Sequence, residues 1–381
     1  MERIIFHQPA KVVFGEGSLD QFIKDMKELN LKRLLVLTVP FLKDQVEQKF
    51  NSLADNGITY SISCGPNTEP AFNHFHQFME EASFFQPDGV IGIGGGSVLD
   101  VAKLLAAMIG NDQKIEDVVG IGLLKKRDLY LACLPTTSGT GSEVSPNAIL
   151  LDETDNMKKG IISPFLVPDA AYIDPQLTIG MPPEITASTG MDALTHCLEA
   201  YTNRFSHPMV DLYALEGIRL ISGNLVHAFE NGFDIQARTK LSLGSFYGGL
   251  CLGPVNTTAV HALSYPLGSE FKIAHGLANA LLLPYVMEYN MVAIPERFEQ
   301  VALALGAEQK STPEETAIEG VAIVRRLMQQ CNLPEKLSEI GIPENAIPEM
   351  ARSAVKIQRL MKNNVREISV ADAINIYQNA Y

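Results

Sequence analysis

Several stretches in the first half of the chain are short and mostly apolar. They are KVVF at Lys11–Phe14, RLLVLT at Arg33–Thr38, VIGI at 90–93 and LACL at 131–134. Runs of this kind suit parallel strands buried on both faces. Helical patterning falls between them, near 41–54, 70–84 and 97–109. Such alternation predicts an α/β domain with a mainly parallel sheet. Met181-Pro182-Pro183 marks the expected boundary, giving domains of 1–181 and 182–381. Beyond it the pattern is helical almost to the end. Helix starts are expected at Thr312-Pro313-Glu314-Glu315 and at Ser369-Val370-Ala371-Asp372, so the second domain reads as all-α.

Composition narrows the picture. The chain has 381 residues, of which 46% are apolar and 19% charged, enough for two ordinary globular domains with a large core. Thirty Lys and Arg against forty-four Asp and Glu give a net charge of −14. That balance argues against nucleic acid or an anionic membrane as partner, because both need a basic footprint. No apolar run approaches a bilayer-spanning length. The first residues do not read as a signal peptide. Five scattered cysteines form no CxxC pair, which suits reduced thiols and a cytoplasmic location.

Candidate chemistry gathers in the second half. Residues 190–201, GMDALTHCLEAY, read as a helix with an apolar stripe at 191, 194, 198 and 201. Asp192 and His196 are four apart, so they share a face nearly opposite that stripe. A divalent metal accepts this ligand pair, although the pair alone better describes a solvated helix face. Sixty residues on lie His261 and His275. In one unbroken helix they would stand about 21 Å apart, too far to share an ion. Pro266 and Gly268 lie between them and are expected to break the helix. Two helix ends joined by a turn could then bring both rings together, giving one carboxylate and three imidazoles. His7, His74, His76, His207 and His227 have no partner pattern and read as structural or solvated.

Ligands of parallel sheets bind beyond the carboxyl ends of the strands. Gly94-Gly95-Gly96-Ser97 follows one apolar run and opens a helix, where backbone amides and the helix dipole favour an anion. Ser97 and Asp100 have the spacing of a capping box. Pro135 to Glu143 follows the next run and crowds hydroxyls and amides into one loop, suited to ribose, phosphate or a carboxamide. Two such loops after neighbouring strands suggest one extended ligand.

The segments GGGSVLD at 94–100, PTTSGTGSEVSPN at 135–147, GMDALTHCLEAY at 190–201 and HALSYPLGSEFKIAHGLANALLLP at 261–284 resemble the iron-containing (group III) alcohol dehydrogenase family. The resemblance spans essentially the whole chain. It implies a dehydroquinate synthase-like architecture, with an α/β dinucleotide-binding domain followed by an all-helical metal-binding and catalytic domain. It implies that Asp192, His196, His261 and His275 bind the metal. It also gives cofactor positions to Val39, Asn67, Gly94, Gly95, Gly96, Ser97, Asp100, Thr136, Thr137, Thr140, Asn147, Lys158 and Leu177. His275 and Tyr265 take the catalytic positions. Tyr265 departs from the pattern, because many family members carry a further His there.

The expected activity is hydride transfer between NAD or NADP and a small primary alcohol or aldehyde. Fe2+ suits four protein ligands plus substrate better than Zn2+, which is the second choice. NAD-preferring members often carry Asp just after the strand's Thr, whereas this chain has Val39, so NADP should be accepted. Two rival enzyme activities share the scaffold, a hydroxyacid-oxidising one and a maleylacetate reductase-like one. The non-enzyme rival is a metal- or nucleotide-binding sensor. A site in the cleft between the domains and a homodimer are further expectations.

Overall fold

The structure is a computed structural model that describes residues 3–66, 69–155 and 157–381. The chain divides into two compact units. The α/β unit comprises His7–Thr137 and Ser142–Thr178, while the helical unit takes Ser138–Gly141 and Ile179–Tyr381 with the described residues before His7.

The α/β unit opens with β1 (Lys11–Phe14), α1 (Ser18–Glu28), β2 (Arg33–Thr38), α2 (Lys43–Ala54), β3 (Thr59–Cys64), α3 (Phe72–Phe85), β4 (Gly89–Gly94) and α4 (Gly96–Met108). It continues with β5 (Gly120–Ile121), β6 (Tyr130–Pro135), β7 (Asn147–Asp152), β8 (Met157–Ile162) and β9 (Ala170–Ile173). Six strands form a sheet in the order β1-β9-β6-β4-β2-β3, and every pairing is parallel. The apolar runs now have a reason. Leu35, Leu37, Val90, Leu131 and Cys133 pack on one face with α4, while Leu34, Val36, Ile91, Ile93, Ala132 and Leu134 pack on the other with α1 and α2. Alternate residues of one strand enter opposite cores, so no position is free to be polar. A second sheet, β5-β8-β7, pairs β7 and β8 as an antiparallel hairpin.

The helical unit runs α5 (Pro183–Tyr201), α6 (Pro208–Ser222), α7 (Leu225–Glu230), α8 (Ile235–Leu252), α9 (Ala259–Phe271), α10 (His275–Met291), α11 (Pro295–Leu305), α12 (Pro313–Gln330), α13 (Ile347–Val355), α14 (Gln358–Met361) and α15 (Val370–Asn379). Thr312 caps α12 by accepting the Glu315 amide, and Ser369 with Asp372 forms a reciprocal capping box on α15, as expected. One continuous apolar core runs from Ala187 to Ala380. No helix among the described residues is long and apolar enough to cross a membrane.

Two local expectations are corrected. Pro266 and Gly268 do not break the helix, because α9 runs through both to Phe271. The proline removes one amide, but carbonyls on the same stretch gain hydroxyl donors. Ser264 donates to His261 O at 2.9 Å and Tyr377 to Leu263 O at 2.5 Å. The reversal comes at Lys272, whose φ of 59° is left-handed. Its amide meets Gly268 O at 3.1 Å, which is an αL ending, and the Ile273 amide reaches Leu267 O at 3.1 Å. Likewise, Ser97 and Asp100 form no capping box. The helix starts one residue earlier than expected, its N-cap is Gly95, and no side chain caps it.

Candidate active site

The helix α5 is closed in on all sides. Its stripe at 191, 194, 198 and 201 is buried, and so are Asp192, Thr195, His196 and Glu199. Asp192, His196 and Glu199 stand at i, i+4 and i+7, hence on one face. The other two histidines open consecutive helices. His261 lies in the first turn of α9 and His275 is the first residue of α10. Gly276 lets α10 start against α5, because a Cβ there would meet Ser188 O at 2.3 Å and Asp192 Cβ at 3.3 Å.

The ligand atoms of Asp192, His261 and His275 all lie within 4.8 Å of one another. Nε2 of His261 and Nε2 of His275 are each 3.6 Å from Asp192 Oδ1. His196 joins this trio through His261, with 3.0 Å between their Nε2 atoms and stacked rings 4.6 Å apart. The break between α9 and α10 thus brings the two distant histidines together, though at Lys272 rather than at Pro266.

Two further residues complete the cluster, neither of them among the expected site residues. Glu199 accepts hydrogen bonds from Thr258 N at 3.1 Å, Thr258 Oγ1 at 2.7 Å, Val260 N at 2.6 Å and His261 Nδ1 at 2.6 Å. It therefore caps the start of α9 and fixes the His261 ring at once. A carboxylate can only accept, so Nδ1 carries the hydrogen and Nε2 faces the cluster. The missed signal was the i+7 spacing from Asp192. Asn279, fully buried one turn after His275, donates its amide toward Asp192 Oδ1 at 2.7 Å, His261 Nε2 at 3.1 Å and His275 Nε2 at 3.2 Å. One carboxylate oxygen and two imidazole nitrogens thus converge on one amide, and with neutral imidazoles a cation suits such a focus.

The carboxylates and imidazoles of the cluster shift one another's protonation. Burial pushes the Asp192 carboxyl up, yet His196, His275 and His261 beside it hold it well below the usual range. Burial likewise works against the Glu199 carboxylate, and His261 and Thr258 outweigh it, so Glu199 is also held low. The His261 imidazolium is disfavoured by burial, but Glu199 and then Asp192 raise its pKa to about 10. For His196 burial wins, and its pKa is lowered. Tyr265 is 7% exposed, and its ring lies 6.4 Å from the His275 ring.

In the α/β unit, Gly94 closes β4, and Gly95, Gly96 and Ser97 begin α4 half-buried. The first amides of a helix have no acceptor within it, so this turn offers donors to an anion. Gly94 O accepts from Thr136 N at 3.0 Å, and a Cβ on Gly95 would stand 3.4 Å from Thr137, so the two loops touch. Asp100 and Lys103 bind the loops internally. Asp100 accepts from Ser142 Oγ at 2.5 Å and Ile149 N at 2.9 Å. The fully buried Lys103 donates to Ser142 O at 2.9 Å, Ser142 Oγ at 3.0 Å and Asn147 O. Lys158 pairs with Glu69 at 2.5 Å. Val39 packs in the apolar core beside α4, and Leu177 packs at the edge of the other core. Thr140 lies in the short Ser138–Gly141 segment of the helical unit. Asn67 lies outside the described residues.

Residues 9–175 match the family model described as iron-containing alcohol dehydrogenase, and residues 186–381 match the one described as Fe-containing alcohol dehydrogenase family, C-terminal. The chain belongs to the iron-containing alcohol dehydrogenase family. It is 38% identical to long-chain-alcohol dehydrogenase 1 of Geobacillus thermodenitrificans, covering 100% of this chain and 96% of that protein. It is 30% identical to the sulfoacetaldehyde reductase of Bilophila wadsworthia, covering 96% of each. A crystal structure of 1,3-propanediol oxidoreductase aligns with a TM-score of 0.96 at 30% identity over 100% of both chains. The parallel sheet of the first part and the helical second part are the fold of this family.

Proposed function

We propose that the protein is a metal-dependent oxidoreductase that moves a hydride between NAD(P) and a small primary alcohol or aldehyde. The observation that carries this reading is the convergence of Asp192, His261 and His275, with His196 against them, in an iron-containing alcohol dehydrogenase chain. Those four residues would hold the ion, with Fe2+ ahead of Zn2+. A divalent ion in such a place lowers the pKa of an alcohol, and the nicotinamide accepts the hydride. Asp192 supplies the negative charge, Glu199 holds the His261 ring, and Asn279 steadies the Asp192 carboxylate.

In this reading the cofactor's pyrophosphate meets the amides at Gly95, Gly96 and Ser97. Thr136, Thr137, Thr140, Asn147, Lys158, Leu177 and Asn67 would line the rest of it. Asp100 would act by tying the loops together. The 1–181 and 182–381 division would separate cofactor from metal duties, with a homodimer formed along the β1 edge of the sheet. Val39 offers no carboxylate to repel a 2′-phosphate, which supports use of NADP as well as NAD.

The test is nicotinamide turnover on protein of defined metal content, with primary alcohols and aldehydes and with both cofactors. Turnover that vanishes on chelation and returns with Fe2+ is expected. Full turnover by metal-free protein would exclude the metal role. Val39→Asp should move selectivity toward NAD by roughly tenfold to a hundredfold. Unchanged selectivity would put the discriminating group elsewhere.

A further inference from the structure

The helical unit contains an arginine that the reaction above does not use. Arg359, on the short helix α14, reaches Tyr265 with Nη2 2.6 Å from the phenol oxygen and Cζ 5.6 Å from the ring centroid. Tyr265 in turn lies 6.4 Å, ring to ring, from His275. The guanidinium is thus one aromatic ring away from the candidate metal cluster. It stands on the side of His275, whose side chain is 32% exposed against 3% for Asp192 and 4% for His261.

Arg219, Arg297, Arg325, Arg326 and Arg352 of the same unit each pair with a carboxylate, on Glu216, Asp211, Glu288, Glu319 and Glu349. Among the described residues, no carboxylate lies within 4.0 Å of Arg359. Arg204, Arg238 and Arg366 of this unit also lack a carboxylate partner but donate to backbone carbonyls, whereas the partner of Arg359 is a phenol. A guanidinium presents five donors in a planar fork, and a neutral phenol satisfies one of them. A half-buried cation of this kind gains most from an oxyanion that accepts two parallel hydrogen bonds.

We propose that Arg359 and Tyr265 form a subsite for an anionic group at the far end of the substrate. The substrate class is then a short-chain alcohol or aldehyde that also bears a carboxylate or sulfonate. This rests on the dehydrogenase reading and narrows it. Arg359 supplies charge and a two-pronged contact, and Tyr265 holds its guanidinium in place. The reacting carbon stays at the cluster while the anion sits beyond the Tyr265 ring.

The experiment compares kcat/KM for butanal, succinic semialdehyde and its sulfonate counterpart in the metal-loaded enzyme and in Arg359→Gln and Arg359→Lys. The wild type should favour one of the anionic aldehydes over butanal. Arg359→Gln should lower kcat/KM for that substrate by roughly tenfold to a hundredfold, chiefly through KM, with a loss on butanal at least tenfold smaller. Arg359→Lys should recover part of the loss, since it keeps the charge without the fork. The two anionic substrates tell carboxylate from sulfonate. Butanal as good as both anions, or an equal loss on all three, overturns the subsite and leaves the dehydrogenase reading intact. Turnover of none of them with either cofactor counts against that reading instead. The subsite is then judged by calorimetric binding of butanoate and propanesulfonate, expected in the wild type and lost in Arg359→Gln. Should that variant not fold, the same two anions must inhibit wild-type butanal reduction competitively, and their failure to do so overturns the subsite.

Discussion

The two candidate sites are built in opposite ways. In the helical unit the side chains are the site. Asp192, His196, His261 and His275 point at one another, and Glu199 and Asn279 hold them there. In the α/β unit the candidate ligand surface is backbone, the turn at Gly95 and Gly96. Its most polar neighbours face away into the protein, where Asp100 and Lys103 bond the loops to each other. A small hard ion needs donor atoms aimed at a point, while an extended anionic ligand needs amides kept in a fixed curve. In the proposed reading, buried polar residues would mean ligation in one unit and scaffolding in the other.

The largest effect that tests this contrast is loss of a cluster residue. His275→Ala should abolish metal binding and reduce turnover to background while dinucleotide affinity persists. Metal analysis and fluorescence titration with NADH read the two separately, and retained metal would refute the assignment. Lys103→Met probes the opposite unit. It leaves Asp100 buried without its cation, so stability should fall by about 3–5 kcal/mol. Denaturant unfolding measures this, and a loss below about 1 kcal/mol would mean that the lysine does not lock the loops.

Glu143 gives the contrast a pH dependence. Burial raises its pKa from 4.5 to about 7, against the smaller opposing effects of backbone hydrogen bonding and Lys103. The folded protein thus keeps a proton that the unfolded chain releases above pH 4.5. The stability this provides is complete below pH 4.5 and is lost as pH rises to about 7. Glu143→Gln should remove that loss, so its advantage over the wild type grows across this window to the order of 3 kcal/mol and then levels off. A constant difference between the two proteins would contradict it. The smallest effect belongs to Glu199→Gln. An amide cannot accept at both oxygens, so His261 loses part of its support, and metal affinity should fall roughly 10- to 100-fold. Competition with a calibrated chelator measures this, and unaltered affinity would reduce Glu199 to a helix cap.

Much of the architecture was legible because it rests on period and burial. The inner strands β2, β4 and β6 of the parallel sheet appear as nearly unbroken apolar runs, since two cores leave them no polar face, whereas the edge strand β3 does not. What stayed hidden depends on tertiary partners. The reversal before His275 is made by Lys272 in a conformation where glycine is the usual signal, so the eye settles on Pro266 instead. Ser97 has the right spacing for a cap, but Ser142 and Ile149 take the Asp100 carboxylate. The hairpin of β7 and β8 is short, with Lys158 and Lys159 inside it, and resembles a loop until it pairs. Lys103 was visible as a lone cation in an apolar helix, but its burial requires the three carbonyl and hydroxyl groups brought by a distant loop.

The unequal exposure of the cluster has a consequence for how an ion would come and go. Asp192 and His261 are sealed, and Glu199 keeps His261 facing inward. In the proposed reading, two of the four ligands would be held by the protein itself. His275, at the first residue of its helix and partly exposed, would be the doorway. Loading and leakage would be governed by how often that one ring swings aside, not by any opening of the helical core. A crowded or bulky neighbour at this threshold would slow both directions alike, giving an enzyme that is slow to charge and equally slow to be stripped.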